Sequence, residues 1–227
     1  RSTLFGSPIE VQPHDRRSVA AWETGVVLAP GVDGRSTSPL GTFYFWEHPD
    51  KSHLLRASLA GFYDEVFWAR TADDGGEVVL TFSNDTLPGP YGELVDGYVV
   101  DPLLLKWGYA RAGIGVGYRT QVAPFAQENM FASDLIVEPG VRYFGRSRYT
   151  DVDYQVPDST FEVRLHWQTR LDAIERNLLE LPHHGYALGA DVVQAFRSQA
   201  DDWGLPVVGL HSGEREYTMA TAYLFGI

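Results

Sequence analysis

In the segment from Phe161 to Asp172, mostly apolar residues alternate with polar or charged residues at every position. A period of two is that of a β-strand with two unlike faces. Strands of soluble sheets are most often about 5 to 6 residues long, whereas strands of membrane barrels alternate over about 10 positions. The length of this segment therefore favours a transmembrane β-strand. Its odd positions are Phe161, Val163, Leu165, Trp167, Thr169 and Leu171, and its even positions are Glu162, Arg164, His166, Gln168, Arg170 and Asp172.

Other segments repeat this alternation, and together they predict about ten strands. Between Lys106 and Arg119 one face carries Gly113, Gly115 and Gly117, which indicates close packing or strong bending. From Leu55 to Tyr63 every odd-numbered position is apolar, aromatic or glycine, and this regular alternation predicts a single long strand. Seven further strands are predicted at Val19–Leu28, Gly41–His48, Glu77–Asn84, Ser133–Glu138, Arg142–Arg148, Tyr186–Ser198 and Tyr217–Ile227.

Composition agrees with an all-β chain and excludes several classes of function. Aromatic residues make up 13% of the chain and glycine occurs 23 times, which suits many strands joined by turns. The net charge of −12 argues against nucleic acid as a partner, because phosphate binding needs a clustered basic surface. Without cysteine the chain has no disulfide, zinc–thiolate site or cysteine nucleophile. A closed barrel satisfies its backbone through the sheet, so the lack of a long apolar run is compatible with membrane insertion.

The connections between the predicted strands are of two kinds. Those at 48–51, 72–76 and 181–185 are short turns, whereas 85–102, 120–130 and 199–216 are longer and polar. Alternation of short turns with long loops is typical of outer-membrane barrels. Aromatic residues cluster near the predicted strand ends, as expected for girdles at the membrane interfaces. Cross-strand aromatic packing in a soluble sheet is the alternative explanation.

The polar faces of these strands predict the lining of a lumen. Glu138 with Arg142, and Glu162 with Arg164 and Arg170, are candidates for an ion-pair network. Such a network braces a narrow barrel, because unpaired charges in a low-dielectric wall are costly, but in a wide barrel it would set the ion preference of a pore. We predict a neutral or paired His166 rather than a catalytic base, and a lumen lined by Arg111, Arg119, Glu162, Arg164, His166, Gln168 and Arg170.

The region from Phe161 to Arg197 carries a strand with Asp172, Arg176 and Asn177, followed by the turn Leu181, Pro182, His183, His184, Gly185 and another strand. This pattern resembles the bacterial surface antigen family, the outer-membrane barrels related to the BamA and TamA assembly proteins. The resemblance covers a small part of the chain and implies a shared barrel topology. The chain departs from the family pattern at Arg142–Phe144, where the family's Arg-Gly-aromatic tripeptide has no counterpart.

Residues 1–227 are predicted to form one antiparallel transmembrane β-barrel, either complete in itself or part of a larger barrel that continues beyond the C-terminus. The first residue, Arg1, suggests a processed or trimmed start. We expect a bacterial outer-membrane protein that acts as a pore, an anchor or a scaffold, without catalysis, cofactor or metal. Its expected partners are membrane lipid, lipopolysaccharide and other envelope proteins.

Two other functions compete with this reading. An outer-membrane hydrolase acting on lipid or lipopolysaccharide would need a serine or aspartate beside a histidine at the barrel wall, and Ser198 and His211 are candidates. The adjacent His183 and His184 lack the further ligands that a metal site needs. A soluble β-sandwich that binds carbohydrate would place four tryptophans, Trp22, Trp46, Trp68 and Trp107, along a common groove.

Overall fold

The computed structural model describes residues 2–4, 7–9, 18–29, 36–48, 50, 52–86, 94–95, 98–99, 105–122, 130–175, 184–207 and 209–226. Every regular element in these ranges is a β-strand. None of the residues described belongs to a helix that is long and apolar enough to cross a membrane. The strands are β1 (Ser2–Leu4), β2 (Ser7–Ile9), β3 (Ser18–Ala29), β4 (Ser36–Glu47), β5 (His53–Leu59), β6 (Tyr63–Thr71), β7 (Gly76–Thr86), β8 (Leu94–Val95), β9 (Tyr98–Val99), β10 (Leu105–Gln121), β11 (Met130–Arg146), β12 (Thr160–Glu175), β13 (His184–Arg197), β14 (Trp203–Leu205), β15 (Gly209–His211) and β16 (Glu216–Gly226).

Ten of these strands form one antiparallel sheet in the order β3-β4-β5-β6-β7-β10-β11-β12-β13-β16. Each strand therefore pairs with the next long strand along the chain. The other six strands form three small two-stranded ladders, β1-β2, β8-β9 and β14-β15. Strands β3 and β16 are the edges of the large sheet, and the described residues show no pairing between them. The all-β, antiparallel class is confirmed, and the ten long strands agree with the predicted number.

Three of the predicted strands have the wrong bounds. The supposed single strand Leu55 to Tyr63 contains a tight turn, because β5 ends at Leu59 and β6 begins at Tyr63. Gly61 adopts a φ of +83°, and Asp64 Oδ1 accepts hydrogen bonds from the backbone nitrogens of Ala60 and Gly61. Conversely, Ser133–Glu138 and Arg142–Arg148 are parts of one strand, β11, which runs to Arg146.

Pro139 interrupts the alternation of β11 but does not end the strand. It remains paired with Val163 on β12. On the other side, the ladder between β10 and β11 has a gap, with Arg111 opposite Gly140 and Ile114 opposite Val137 as the flanking pairs. Proline lacks an N–H group, so it fits in a central strand only where a ladder bond is already missing. The sequence pattern shows the proline but not this gap.

The glycine-rich segment of β10 is a bend, as its sequence predicts. Strands β7 and β11 lie on either side of β10, yet their Cα atoms approach within 8 Å. In a flat sheet two strand spacings amount to about 9.6 Å. A Cβ atom at Gly113 would lie 2.9 Å from Ile136 Cγ2 and would also meet Thr81 Oγ1. The sheet therefore curves toward the face on which these glycines lie.

The connections sort into two ends of the sheet. At one end, which we call the turn end, β4 is followed by β5, β6 by β7, β10 by β11 and β12 by β13. At the loop end, the connections after β7, β11 and β13 are longer and span residues 87–104, 147–159 and 198–215. The predicted short turn 72–76 falls at the turn end, whereas residues 49, 51 and 181–183 of the other two predicted turns lie outside the described residues. At the ends of the predicted loop 120–130, β10 continues to Gln121 and β11 begins at Met130, and residues 123–129 lie outside the described residues.

Candidate functional site

The two faces of the large sheet differ in chemistry and in exposure. We call the face that bears Phe161 and Leu165 the apolar face, and the face that bears Glu162 the polar face. On the apolar face, Ile114, Val116 and Leu135 are 61%, 64% and 52% exposed. On the polar face, Asp134, Glu138 and Glu162 are buried. For these residues the usual arrangement of a soluble protein, with apolar side chains inside and charges outside, is reversed, while the apolar Ala69, Val79 and Ile136 are also buried on the polar face.

Charged side chains are confined to the margins of the apolar face. Cross-strand pairing assigns each residue of the sheet to one face, because side chains alternate along a strand. In the ten strands as described, the charged residues on the apolar face all lie within two residues of a strand end. Those whose side chains are described are Glu47, Asp64, Arg70, Lys106 and Glu216.

Aromatic side chains bracket the apolar face on two central strands. On β13, Tyr186 and Phe196 stand at opposite ends with Leu, Ala, Val and Gln between them. On β11, Phe131 and Tyr143 bracket Ser, Leu, Val and Pro in the same way. Ten residues of a strand span about 33 Å, which becomes about 25 Å across a membrane at a tilt of about 40°. An apolar band about 25 Å tall between aromatic girdles is typical of outer-membrane barrels.

The few polar groups within the apolar face bond to one another or to the backbone. Trp167 Nε1 donates to Ser133 Oγ at 3.1 Å, although both residues are on the outside of the sheet. Thr169 Oγ1 donates to the carbonyl oxygen of Ala132 at 3.4 Å. Internal pairing of this kind is needed where no water is present to satisfy a polar group.

All seven predicted lumen residues lie on the polar face. Arg111 on β10 lies opposite Gly140 on β11, which in turn lies opposite Glu162 on β12. In the same way, Arg119 on β10 lies opposite Ala132 on β11, which lies opposite Arg170 on β12. Arg111 is buried, with its guanidinium carbon 3.5 Å from the centre of the Tyr109 ring. The remaining members of the set are Arg164, His166 and Gln168.

The centre of the polar face is a chain of charges across three strands. Glu138 lies 3.6 Å from Arg164 Nε and 3.6 Å from His166 Nδ1. His166 Nε2 is 3.1 Å from Asp191 Oδ1, which also accepts a hydrogen bond from Arg170 Nη2 at 3.2 Å. His166 therefore has a carboxylate beside each ring nitrogen, although its buried Nδ1 makes no hydrogen bond to the described residues. Its carboxylate partner on β13, Asp191, was not among the predicted site residues.

A second cluster surrounds Glu162, which is only 4% exposed. Its carboxylate lies 3.0 Å from Arg197 Nε and 3.5 Å from Arg142 Nη2, and it accepts a hydrogen bond from the Tyr217 hydroxyl at 3.2 Å. The predicted pairing of Glu162 with Arg164 and Arg170 was therefore wrong. Residues two positions apart on one strand are separated by about 6.6 Å, whereas directly opposed residues are about 5 Å apart.

Two further pairs lie toward the turn end. Glu77 is buried and accepts hydrogen bonds from Arg119 Nε at 2.7 Å and Arg119 Nη2 at 3.1 Å. Gln168 Nε2 donates to Asp134 Oδ2 at 2.8 Å. The polar face thus carries cross-strand pairs along most of the height of β12. Alternation in the sequence could have identified Asp134 and Glu77 as members of this face, but not their partners.

A cavity of about 410 Å³ lies at the loop end of the polar face. Its floor includes Trp107, Arg142 and Arg197, and its roof is formed by described residues of the segments 154–158 and 199–214. Tyr154, which is 2% exposed, packs against Leu105. Two backbone hydrogen bonds, of 2.8 and 3.1 Å, join Gln155 to Gly204 and so connect the two roof segments.

The described residues give the hydrolase alternative no clear support. Ser52 Oγ and His53 Nδ1 lie 2.9 Å apart, but Asp50 Oδ1 bonds to the hydroxyl and the backbone nitrogen of Ser52, so the group caps a turn. The hydrogen bond from the Ser52 hydroxyl, followed by that from its backbone, lowers the pKa of the exposed Asp50 to about 2. Ser198 Oγ is 3.3 Å from Thr160 Oγ1, and His211 stacks on Trp203 at 4.4 Å.

Metal binding has no support in the part of the chain that the structure covers. Within it, no three histidine, aspartate or glutamate side chains are grouped so that they could hold a metal ion. His183 lies outside the described residues, and His184 begins β13.

The tryptophans do not line the common groove that a carbohydrate-binding sandwich requires. Trp46 and Trp107 lie on the polar face, whereas Trp22 and Trp68 lie on the apolar face. The described residues also contain one large sheet, so there is no second large sheet to pack against it. Both requirements of a two-layer sandwich are unmet in this part of the chain.

Comparison with known proteins yields no relative. No family model matches the chain, and no curated protein or solved structure matches it either. The geometry of the sheet is therefore the basis for a functional proposal.

Proposed function

We propose that the large sheet is the wall of an antiparallel β-barrel in a bacterial outer membrane, and that it serves as an anchor or scaffold with a braced interior. The observation that carries this proposal is the reversal of its faces. Exposed Ile114, Val116 and Leu135 on one side and buried Asp134 and Glu162 on the other suit lipid outside and a polar lumen inside. In water the same apolar face would be a large aggregation-prone patch.

The stagger of the strands supports this reading. Starting from the first residue of β3, successive cross-strand partners lead to the third residue of β16, at the opposite end of the sheet. Across the sheet this line of paired residues covers nine strand spacings, or about 43 Å. Relative to the ends of the strands, it shifts by about nine residues, or about 30 Å. The ratio corresponds to a tilt of about 35°, the inclination at which sheets close into barrels. The partners are Ser18, Glu47, Leu55, Trp68, Leu80, Ile114, Val137, Leu165, Gln194 and Thr218.

The interior favours an anchor or scaffold over an open pore. Glu138, Glu162 and Asp191 are each shared between two basic side chains. In addition, residues 154–158 and 199–214 cover the polar face at the loop end. Paired charges and a covered mouth leave little free path for ions. Lipid and lipopolysaccharide would contact the apolar face, and the free edges of β3 and β16 would pair with each other or with further strands.

Kinship with the bacterial surface antigen barrels is part of this proposal. The region that resembles that family corresponds to β12 and β13, which pair from Glu162 to Glu175 with Arg197 to His184. Most of the turn motif, residues 176–183, lies outside the described residues. An antiparallel hairpin at this position is what the resemblance implies.

The test uses the absence of cysteine from the chain. Single variants Val116→Cys and Leu135→Cys report on the apolar face, and Val152→Cys, in the connection 147–159, is the control. All three positions are at least half exposed. The full chain is reconstituted into phosphatidylcholine vesicles and treated with a charged, membrane-impermeant maleimide. We expect rapid labelling of Val152→Cys and strong protection of the other two, because lipid excludes the reagent from the apolar face.

All three variants should label equally in urea, which establishes that each thiol is reactive. Equal labelling of the three variants in vesicles would contradict the proposal. So would a folded, monomeric chain that remains soluble without detergent.

A further inference from the structure

The cavity at the loop end has more cationic groups at its floor than the neighbouring acid can neutralise. Arg142 and Arg197 line the cavity, and both contact the single carboxylate of Glu162. Arg142 Nε is buried and has no hydrogen-bond acceptor among the described residues. Arg142 also donates to the Tyr217 hydroxyl and Arg197 to the carbonyl oxygen of Glu214, but two guanidinium groups have five donors each, so donors remain in excess of these acceptors. The floor is suited to an additional anionic oxygen.

The roof of the same cavity has the opposite character. Three acidic residues, Asp158, Asp201 and Glu214, are among those that line it. Asp201 Oδ2 accepts a hydrogen bond from the backbone nitrogen of Asp158, which holds the two roof segments together. Trp203 also lines the cavity, and an aromatic face attracts cations. A cationic group would therefore be favoured at the roof.

The roof is attached to the barrel wall rather than extended away from it. Arg146 donates to the carbonyl oxygens of Asp151 and Tyr154, each at 2.6 Å. Arg197 Nη1 donates to the carbonyl oxygen of Glu214 at 3.3 Å. These contacts, together with the buried Tyr154, hold a cavity within the size range of small-molecule sites, about 300 to 1,000 Å³. The site is preformed, so binding would need little reorganisation.

From this separation of charge we infer that the cavity binds a small zwitterion, a phosphate ester or carboxylate that also carries an ammonium group. The anionic oxygens would lie against Arg142 and Arg197, and the ammonium group would face the roof carboxylates and Trp203. This inference goes beyond the proposed function and does not depend on what the apolar face contacts. The same chemistry occurs in free phosphoethanolamine compounds and in the headgroup of phosphatidylethanolamine.

The experiment follows tryptophan fluorescence, because Trp107 and Trp203 line the cavity. The full chain, folded in an uncharged detergent, is titrated with O-phosphoethanolamine, and separately with inorganic phosphate and with ethylammonium as the two halves. We expect saturable binding of the zwitterion, and binding of each half at least about tenfold weaker. Equal affinity for inorganic phosphate, or no saturation up to about 10 mM with folded protein, would overturn the inference.

Variants locate the site. Arg142→Gln should weaken binding by about tenfold or more, because it removes a guanidinium from the floor. Arg142→Lys, which keeps the charge, should restore part of the affinity, and Asp158→Asn should reduce the preference for the zwitterion over inorganic phosphate. Arg56→Gln is the matched control, since Arg56 is on the polar face of β5 beside Phe67 and outside the cavity. Unchanged affinity in both Arg142→Gln and Asp158→Asn would refute the assignment.

The two sources of the ligand are separated by vesicle composition. The titration is repeated in vesicles of phosphatidylglycerol with and without phosphatidylethanolamine. A shift to higher O-phosphoethanolamine concentration in the vesicles that contain phosphatidylethanolamine identifies the lipid headgroup as the occupant, and an unchanged curve identifies a soluble ligand. Circular dichroism before each titration confirms that the strands are folded, so a folding defect is distinguished from a loss of binding.

Discussion

An arginine in the middle of the apolar face should measure directly whether that face meets lipid. On β11, Val137 lies six residues from each of Phe131 and Tyr143, the two aromatic residues that bracket the face. Six residues span about 20 Å along the strand, or about 15 Å in depth at a tilt of about 40°. This depth is half of a hydrocarbon core about 30 Å thick, so Val137 would lie at the midplane.

We expect Val137→Arg to lower the free energy of unfolding by about 2–4 kcal/mol, the cost of arginine at the midplane of a barrel. Val141→Arg is the matched control, because Val141 is on the same face and is similarly exposed, at 46% against 40% for Val137. It lies only two residues from Tyr143, about 5 Å below the interface, where the cost falls to about 1 kcal/mol or less.

The measurement is equilibrium unfolding in urea of the chain folded into phosphatidylcholine vesicles, with linear extrapolation to water. A face in contact with water would respond differently, since surface substitutions usually change stability by less than about 0.5 kcal/mol. Two variants that both stay within about 0.5 kcal/mol of the unmodified chain would therefore refute the membrane reading of the apolar face.

Three further predictions use the same unfolding measurement. Gly115→Ala should cost about 1–3 kcal/mol, because its Cβ would lie 2.7 Å from a backbone oxygen, whereas Gly145→Ala, with open space around it, should be nearly neutral; equal effects would contradict the bend. Ser133→Ala should cost about 1–2 kcal/mol if the indole of Trp167 loses its acceptor in lipid, and no loss of stability would indicate that water replaces the hydroxyl. Glu162→Gln should cost about 2–4 kcal/mol, because it leaves two guanidinium groups without their shared carboxylate; a change below about 0.5 kcal/mol would show that the cluster does not stabilise the fold.

Local alternation was enough to predict the membership of each face. The segment Phe161 to Asp172 lies within β12, and its odd and even residues occupy opposite faces, as predicted. The glycines of β10 also predicted the bend correctly, because a missing side chain marks a close approach wherever it occurs. Errors in strand bounds came from features that alternation alone cannot resolve. The alternation of residues continues through the turn at Gly61, so the turn is not visible in the sequence. Pro139 interrupts the alternation of β11 and therefore resembles the end of a strand.

The composition of the cavity was not predictable from the sequence. Its roof comes from residues 154–158 and 199–214, which have no regular alternation. Those two segments meet through backbone hydrogen bonds between Gln155 and Gly204, which any sequence could supply. Arg142 and Arg197 belong to predicted strands, but nothing in their sequence context indicates that they share Glu162. Contacts between segments far apart in the chain depend on strand register and loop path.

For Phe161 to Asp172, the sequence by itself determined the strand and its two unlike faces, because a period of two is a local property of an extended backbone. Only the tertiary structure decided which face is buried and which partner each charge takes. Burial depends on the curvature of the whole sheet, and the partners of Glu162 and His166 depend on register with β11 and β13. Register is set by many cross-strand contacts at once, and a shift of one residue would reverse the faces.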